Sequence, residues 1–439
     1  MEQVLAPAGL TDHRVPVGTH SPDELDAAAC ALLSPVMYAE PDRVDRATAL
    51  LRAHSPIHRA EHPDYRPLWV VTRYADVREV EAHAAEWSQG GHPFLRTREE
   101  IRRLRSGAVA HVRMLIDYDG DEHRAYRSVA QKWFTPRALA ALDARVRELA
   151  CRAVDRMESA GGRCDVAQEV AAPFPLETIL SLLGLPESDF AFVLRLSQQL
   201  LNSSVDATAV PRTEEEQRDL MQTFSDYFTA LTLDRRARPT DDLASAIANA
   251  DVPGIGEMPM ADAIGYYIIL SVAGHETTSA SMAGGVLALC QFPEQYALLR
   301  REIGDERLVA NAAEEIVRWV TPVKHFCRTA TTGYTLGDHR FERGDVVFLS
   351  YSSANRDEIV FVDAHRFDLR RANAKDHLAF GFGAHYCLGS QLARLQIRAL
   401  LREVATRVTT MSLDGEVRFA PAIATSGPTS LPVSYTFAG

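Results

Sequence analysis

The chemistry this chain can do converges on one cysteine. Cys387 stands in the run from His377 to Arg394, with Phe380, Gly383 and Gly389 at fixed offsets around it, as F-x-x-G-x-x-x-C-x-G. A lone cysteine in a globular chain is usually a small buried hydrophobe. A chance match to four specified residue types at this spacing is rarer, roughly one in a thousand for a chain of this length. The set suits a metal-ligating thiolate. Glycines let the backbone turn sharply and come close to a flat cofactor, and Phe380 can lie against its face. The residues after Ser390 have helical spacing. That places a helix N-terminus, the positive end of its dipole, beside the sulfur.

Upstream, Ala273-Gly-His-Glu-Thr-Thr278 falls in the middle of a long helical pattern. His275-Glu276 begins an H-E-x-x-H zinc motif, but residue 279 is serine and that reading fails. Glu276 and Thr277 among small residues have another use. Gly274 costs a helix about 1 kcal/mol relative to alanine, and with a threonine hydroxyl it can open a local groove in the helix ladder. The plainer alternative is Thr277 bonded back to the carbonyl of Ala273, with Glu276 on the surface. Glu315 and Arg318 form a third pair, on one face of a helix. Exposed, such a pair contributes only a few tenths of a kcal/mol.

Together these residues resemble the cytochrome P450 superfamily, whose haem-binding loop carries the Cys387 pattern. The resemblance implies haem b (iron protoporphyrin IX) held by Cys387 as the axial iron ligand, a thiolate that favours O–O cleavage. It implies that the groove at Ala273 admits O2 over the haem, that Thr277 hydrogen-bonds the dioxygen and that Glu276 relays protons. Glu315 and Arg318 would form a buried pair, joined by Arg371, that shapes the cysteine pocket. The two haem propionates need cationic or donor partners, and His123, Arg127, Arg328 and His377 match the family positions. Phe94, Leu95, Ile269, Val272, Ala273, Val323 and Phe326 are the expected substrate lining. Being apolar, they suit a small or medium hydrophobic molecule.

Three longer stretches resemble the bacterial α-terpineol hydroxylase branch: Phe228–Arg236, Pro322–Ala330 and Tyr351–Glu358. Parts of them are shared with sterol- and lipid-oxidising branches. The implied activity is insertion of one oxygen atom into a C–H bond of a terpenoid or aromatic hydrocarbon. Gly381-x-Gly383 begins a dinucleotide fingerprint, but residue 386 is tyrosine, and no Walker loop occurs. Electrons are therefore expected from a separate protein; the resemblance to the family's soluble bacterial members implies a 2Fe–2S ferredoxin and its reductase, for which Arg124, Lys132, Arg394 and Arg402 could form a basic docking face. A peroxide-driven peroxygenase and a non-catalytic haem-thiolate binder are the alternatives; the first has no need of the Glu276–Thr277 relay. The sequence departs from many bacterial members at Asp119-Gly-Asp-Glu-His123, which lacks two prolines, and at Ala364, where a proline is frequent.

The elements that must carry these residues read as mainly helical with small β-sheets, an α+β pattern. After a loose arm over 1–20, helical patterning starts at Ser21-Pro-Asp-Glu-Leu and again at Pro41–His54. Short strands follow near 56–60 and 67–74, then a helix over 75–83. Helices are expected over 137–159, 166–184, 187–201 and 213–237. A long one follows from Pro259 to Cys290, two shorter ones reach Val320, and the last covers Leu388 to Val408. Strands are expected near 328–335 and 346–350, with a terminal pair at 417–420 and 433–437. The resemblance implies that residues 21–439 are one three-cornered helical domain, with haem between the long helix and the cysteine loop.

Composition bounds the reading. The chain has 439 residues, 46% of them hydrophobic and 24% charged, enough for a large core. A net charge of −12 disfavours nucleic acid and anionic membrane surfaces. The apolar stretch Ile264–Gly274 is too short to span a bilayer, and the first residues show no signal-peptide pattern. A cytoplasmic protein without a membrane anchor is expected. The six cysteines are scattered with no C-x-x-C pair, which disfavours zinc, iron–sulfur clusters and a disulfide framework.

Overall fold

The computed structural model describes residues 20–90, 93–106, 112–205 and 213–438. The arm expected over 1–20 lies outside them except for its last residue. Helices dominate, and one of them, Met260–Gln291, runs through the centre. Its first half packs into a hydrophobic cluster with Phe224, Phe228 and Leu243. Its second half packs into another, with Val309, Ala313 and Leu400. A helix buried on all sides explains the absence of a polar stripe in its sequence. Gly284 and Gly285 let the helix Glu306–Val320 come close. A Cβ at Gly284 would lie 2.5 Å from Val320 Cγ2, and one at Gly285 2.9 Å from Ile316 Cγ2.

Capping residues fix the helix starts. Ser21 caps Pro22–Leu32 in a reciprocal box with Glu24, and Pro41 opens Pro41–His54. The main sheet has five strands, in the order 57–60, 68–71, 346–350, 325–330, 87–88. All neighbours are antiparallel except 68–71 with 346–350.

Several elements differ from expectation. The 137–159 helix is interrupted after Ala140 and resumes at Asp143. The 166–184 segment opens with a wide π turn, Ala167–Ala171, before the helix Pro173–Leu182. Pro173 has no N–H to continue a regular ladder there. The 328–335 strand is shifted to His325–Ala330, and Tyr334–Leu336 pairs separately with His339–Phe341. The two terminal strands do not pair with each other. Arg418–Phe419 joins Pro428–Ser430, while Pro432–Phe437 lies between Val408–Leu413 and Arg163–Asp165.

The helix Gly120–Gln131 begins with Gly120 at φ +57. Proline cannot adopt that angle, so this start is built on a glycine turn. Among the described residues, no helix is long and apolar enough to cross a membrane.

Candidate active site

Cys387 lies where a tight loop meets a helix. Its backbone N–H donates to the carbonyl of Phe380 at 2.8 Å, closing the loop, and the helix Ser390–Arg407 begins three residues later. Burial pushes the thiol's pKa up. The N–H groups of Gly389 and Ser390 and the charges of Arg127 and Arg394 pull it back. The accessible surface of this side chain faces a central cavity inside the protein and not the outer surface.

The long helix supplies another wall of that cavity through Ile269, Ala273, Gly274, Thr277 and Thr278. Ala273 is exposed although it sits mid-helix in the interior, because it faces this space. Thr277 Oγ1 donates to the Ala273 carbonyl at 2.8 Å. This is the back-bond of the plainer alternative, yet the residue still lines the cavity. Glu276 is half-buried rather than on the surface and is not among the side chains that line the cavity; burial alone moves its carboxyl pKa up to about 7.

The other expected positions separate into groups. His123, Arg127, Phe380, Gly389, Val323 and Phe326 line the cavity. Arg127 Nη2 donates to the Tyr386 carbonyl at 2.7 Å. Burial, with His385 and Arg127 nearby, lowers the pKa of His123 to about 4, so its ring is neutral at pH 7. Gly383 packs away from the cavity, against residue 81, where a Cβ would lie 2.4 Å from the Glu81 carbonyl oxygen.

Arg328 is turned to Glu81, Nη2 to Oε1 at 2.9 Å. His377 Nε2 lies 3.2 Å from Glu314 Oε2. Neither side chain is among those that line the cavity. Phe94 and Leu95 line a separate surface recess with Tyr65 and Cys327. There the Phe94 ring lies 5.0 Å from that of Phe326, and the Leu95 amide donates to His325 Nε2 at 3.0 Å. Val272 packs into the cluster around Phe228. These three residues sit outside the cavity because each one's neighbours in the fold take its apolar surface first.

Two networks hold the loop. Arg318 Nε and Nη2 reach Glu315 at 2.7 and 2.8 Å, and Arg371 Nε lies 3.1 and 3.2 Å from its two oxygens. All three side chains are buried. Arg318 also donates to the Asn355 carbonyl, and Asn355 Oδ1 accepts from the Leu378 amide at 2.7 Å, inside the cysteine run. In the second network Glu314 binds both His377 and Arg394. The Arg394 guanidinium lies 4.5 Å from the centre of the Phe380 ring.

Sequence reasoning missed His385, Asp119 and Glu81. His385 lines the cavity, its ring 4.3 Å from that of His123. Its Nε2 lies 3.2 Å from Asp119 Oδ1. Asp119 also accepts from Ser88 and the amides of Gln89 and Gly90. Burial opposes its charge, but these bonds outweigh that and hold the carboxyl well below the usual range. The place of His385 two residues before Cys387 was the available signal.

A single sulfur at a helix N-terminus, apolar walls and donors at the edge fit a flat, thiolate-ligated cofactor with anionic groups on its rim. The comparisons agree. The cytochrome P450 family model matches residues 196–407. Cytochrome P450-terp of a Pseudomonas species is 33% identical over 420 residues, covering 93% of this chain and 97% of that one. The linalool 8-monooxygenase of Pseudomonas putida is 31% identical over 374 residues, with 84% and 90% covered. The crystal structure of CYP108D1 from Novosphingobium aromaticivorans superposes with a TM-score of 0.86 at 36% identity, covering 94% of this chain and 99% of that one. The chain belongs to the cytochrome P450 family, whose cofactor is haem, and it is a monooxygenase.

Proposed function

We propose that the protein hydroxylates a small or medium hydrophobic substrate, a terpenoid or aromatic hydrocarbon, with O2 and electrons from a 2Fe–2S ferredoxin and its reductase. The observation that carries this is the shared cavity of Cys387 and the Ala273–Thr278 turn, walled by apolar side chains. Cys387 would hold the iron of haem b. Phe380, Gly389 and Ala273 would lie along the haem faces, and Gly383 would set the loop's turn. His123 and Arg127 would meet its carboxylates. Arg328 and His377 would reach them only by rearranging, since Glu81 and Glu314 engage them.

Bound haem supplies the oxygen activation. The chain's own residues supply the rest. Glu276, half-buried and protonated below about pH 7, holds a proton next to Thr277. Thr277 offers a hydroxyl to the cavity. Ile269, Val323 and Phe326 exclude water and orient an apolar guest. The similarity to linalool 8-monooxygenase supports a terpenoid-sized substrate.

Spectral titration of the haem-loaded protein with terpenoids, aromatics and sterols tests the reading. A spin-state shift with one of the first two classes, and an oxygenated product with an iron–sulfur reducing system, is expected. A response confined to sterols would move the substrate class, and silence toward every hydrophobe would overturn the hydrophobic-substrate reading.

A further inference from the structure

The proposed function leaves one buried acid without a role. Glu81 stands near the end of the helix Tyr74–Ala82, its side chain 1% exposed, and it lines the same cavity as Cys387. Its Oε1 accepts from Arg328 Nη2 at 2.9 Å and from the Tyr351 hydroxyl at 2.5 Å. Its Oε2 is buried without a well-formed hydrogen bond; burial pushes the carboxyl's pKa up, and Arg328, Tyr351 and the Phe382 backbone N–H oppose that shift. The cysteine loop is laid directly on this residue. A Cβ at Gly381 would stand 3.6 and 3.7 Å from its two carboxylate oxygens, and one at Gly383 would strike its backbone oxygen.

Arg328 is buried too, and it is the cation that pairs with Glu81. A guanidinium has five N–H donors. The bonds to Glu81 and to the Cys327 carbonyl leave some of them for a further carboxylate. A cofactor carboxylate arriving here would meet a cation already half neutralised.

Resting on the haem reading of the cavity, we propose that Glu81 is a positioning residue. It holds Arg328 behind the cavity wall, and a carboxylate of the bound cofactor would share that one guanidinium once Arg328 turns toward it. Two carboxylates around one cation leave an uncompensated negative charge in a low-dielectric region. That charge loosens the cofactor and opposes addition of an electron to its iron.

The test compares haem-loaded wild type with Glu81→Gln, which keeps the size and the acceptor oxygen and removes the charge. The midpoint potential should shift positive, and haem transfer to apomyoglobin should slow about tenfold. Glu81→Met, also uncharged, serves if the glutamine variant does not fold and should move the potential the same way. Glu81→Asp keeps the charge and should stay near wild type. A residue that only packs the loop would leave the potential unmoved; that result, or a negative shift, overturns the proposal. Wild type without a thiolate-type carbon-monoxide spectrum would instead sink the haem reading on which it rests.

Discussion

At the residue scale, Cys387 and Glu276 pose opposite problems. Cys387 needs its charged form for ligation. Burial opposes that form, while Arg127, Arg394 and two backbone N–H groups support it. Replacing Cys387 with serine removes the soft ligand with almost no change in volume. The variant should lose the thiolate-type carbon-monoxide spectrum and all turnover, while the haem-free protein melts within a degree or so of wild type. A serine variant keeping both spectrum and turnover would end the thiolate assignment.

No neighbouring charge offsets burial at Glu276, which lifts its carboxyl pKa to about 7. The sign follows from linkage. The unfolded carboxyl ionises near the ordinary glutamate value of 4.5, while the folded one stays protonated until about 7. Wild type therefore loses stability, relative to an uncharged variant, as pH rises from about 4.5 to 7, and the loss then levels off. Glu276→Gln should melt higher than wild type at pH 8, by about 1–2 kcal/mol after discounting for partial exposure, and equally at pH 4. As a proton donor, Glu276 also predicts turnover that falls above about pH 7 in wild type. A glutamine variant that shows the same falling limb would exclude it from proton delivery.

At the scale of elements, the Glu315–Arg318–Arg371 network decides whether the cysteine run is held. It ties the helix Glu306–Val320 to the chain at 362–366, and through Asn355 to Leu378. Glu315→Ala would strand two buried guanidinium groups, a loss of about 3–5 kcal/mol. Denaturant midpoints should fall accordingly, and the purified protein should carry little haem. A soluble, haem-loaded and active Glu315→Ala would show the network to be dispensable.

This network was legible because its three members came with a family pattern. The helix starts were legible because caps are local: Ser21 with Glu24, and Pro41, need no partner elsewhere in the chain. Strand partners were not. Nothing in Pro432–Phe437 itself specifies that it adds between 408–413 and 163–165; that choice belongs to the packed whole. The same holds for Phe94 and Leu95, apolar residues whose recess is set by Tyr65 and His325. Glu81 gave no warning at all. An acid near a helix end reads as solvated, and only the fold closes Arg328, Tyr351 and the glycine turn around it.

At the scale of the whole molecule, the question is where electrons enter a chain of net charge −12. Of the four cations expected to meet a ferredoxin, Arg394 is 14% exposed and committed to Glu314, and Arg402 pairs with Glu306. Arg124, 70% exposed though paired with Asp121, and the exposed Lys132 remain. Both belong to or adjoin the helix Gly120–Gln131, whose inner side carries His123 and Arg127 to the cavity. A docked acidic partner on this helix would therefore sit one element away from the cofactor. Rim charges act mainly on association and its salt dependence. The double reversal Arg124→Glu with Lys132→Glu should raise the KM for ferredoxin about tenfold at low salt. It should flatten the fall of turnover with added salt and leave the carbon-monoxide spectrum intact. Arg394→Glu should behave differently, weakening the fold and haem retention, because it breaks the bond to Glu314 that steadies the loop. If the double variant keeps the wild-type KM and salt slope, the partner docks elsewhere and the helix Gly120–Gln131 serves the cofactor alone.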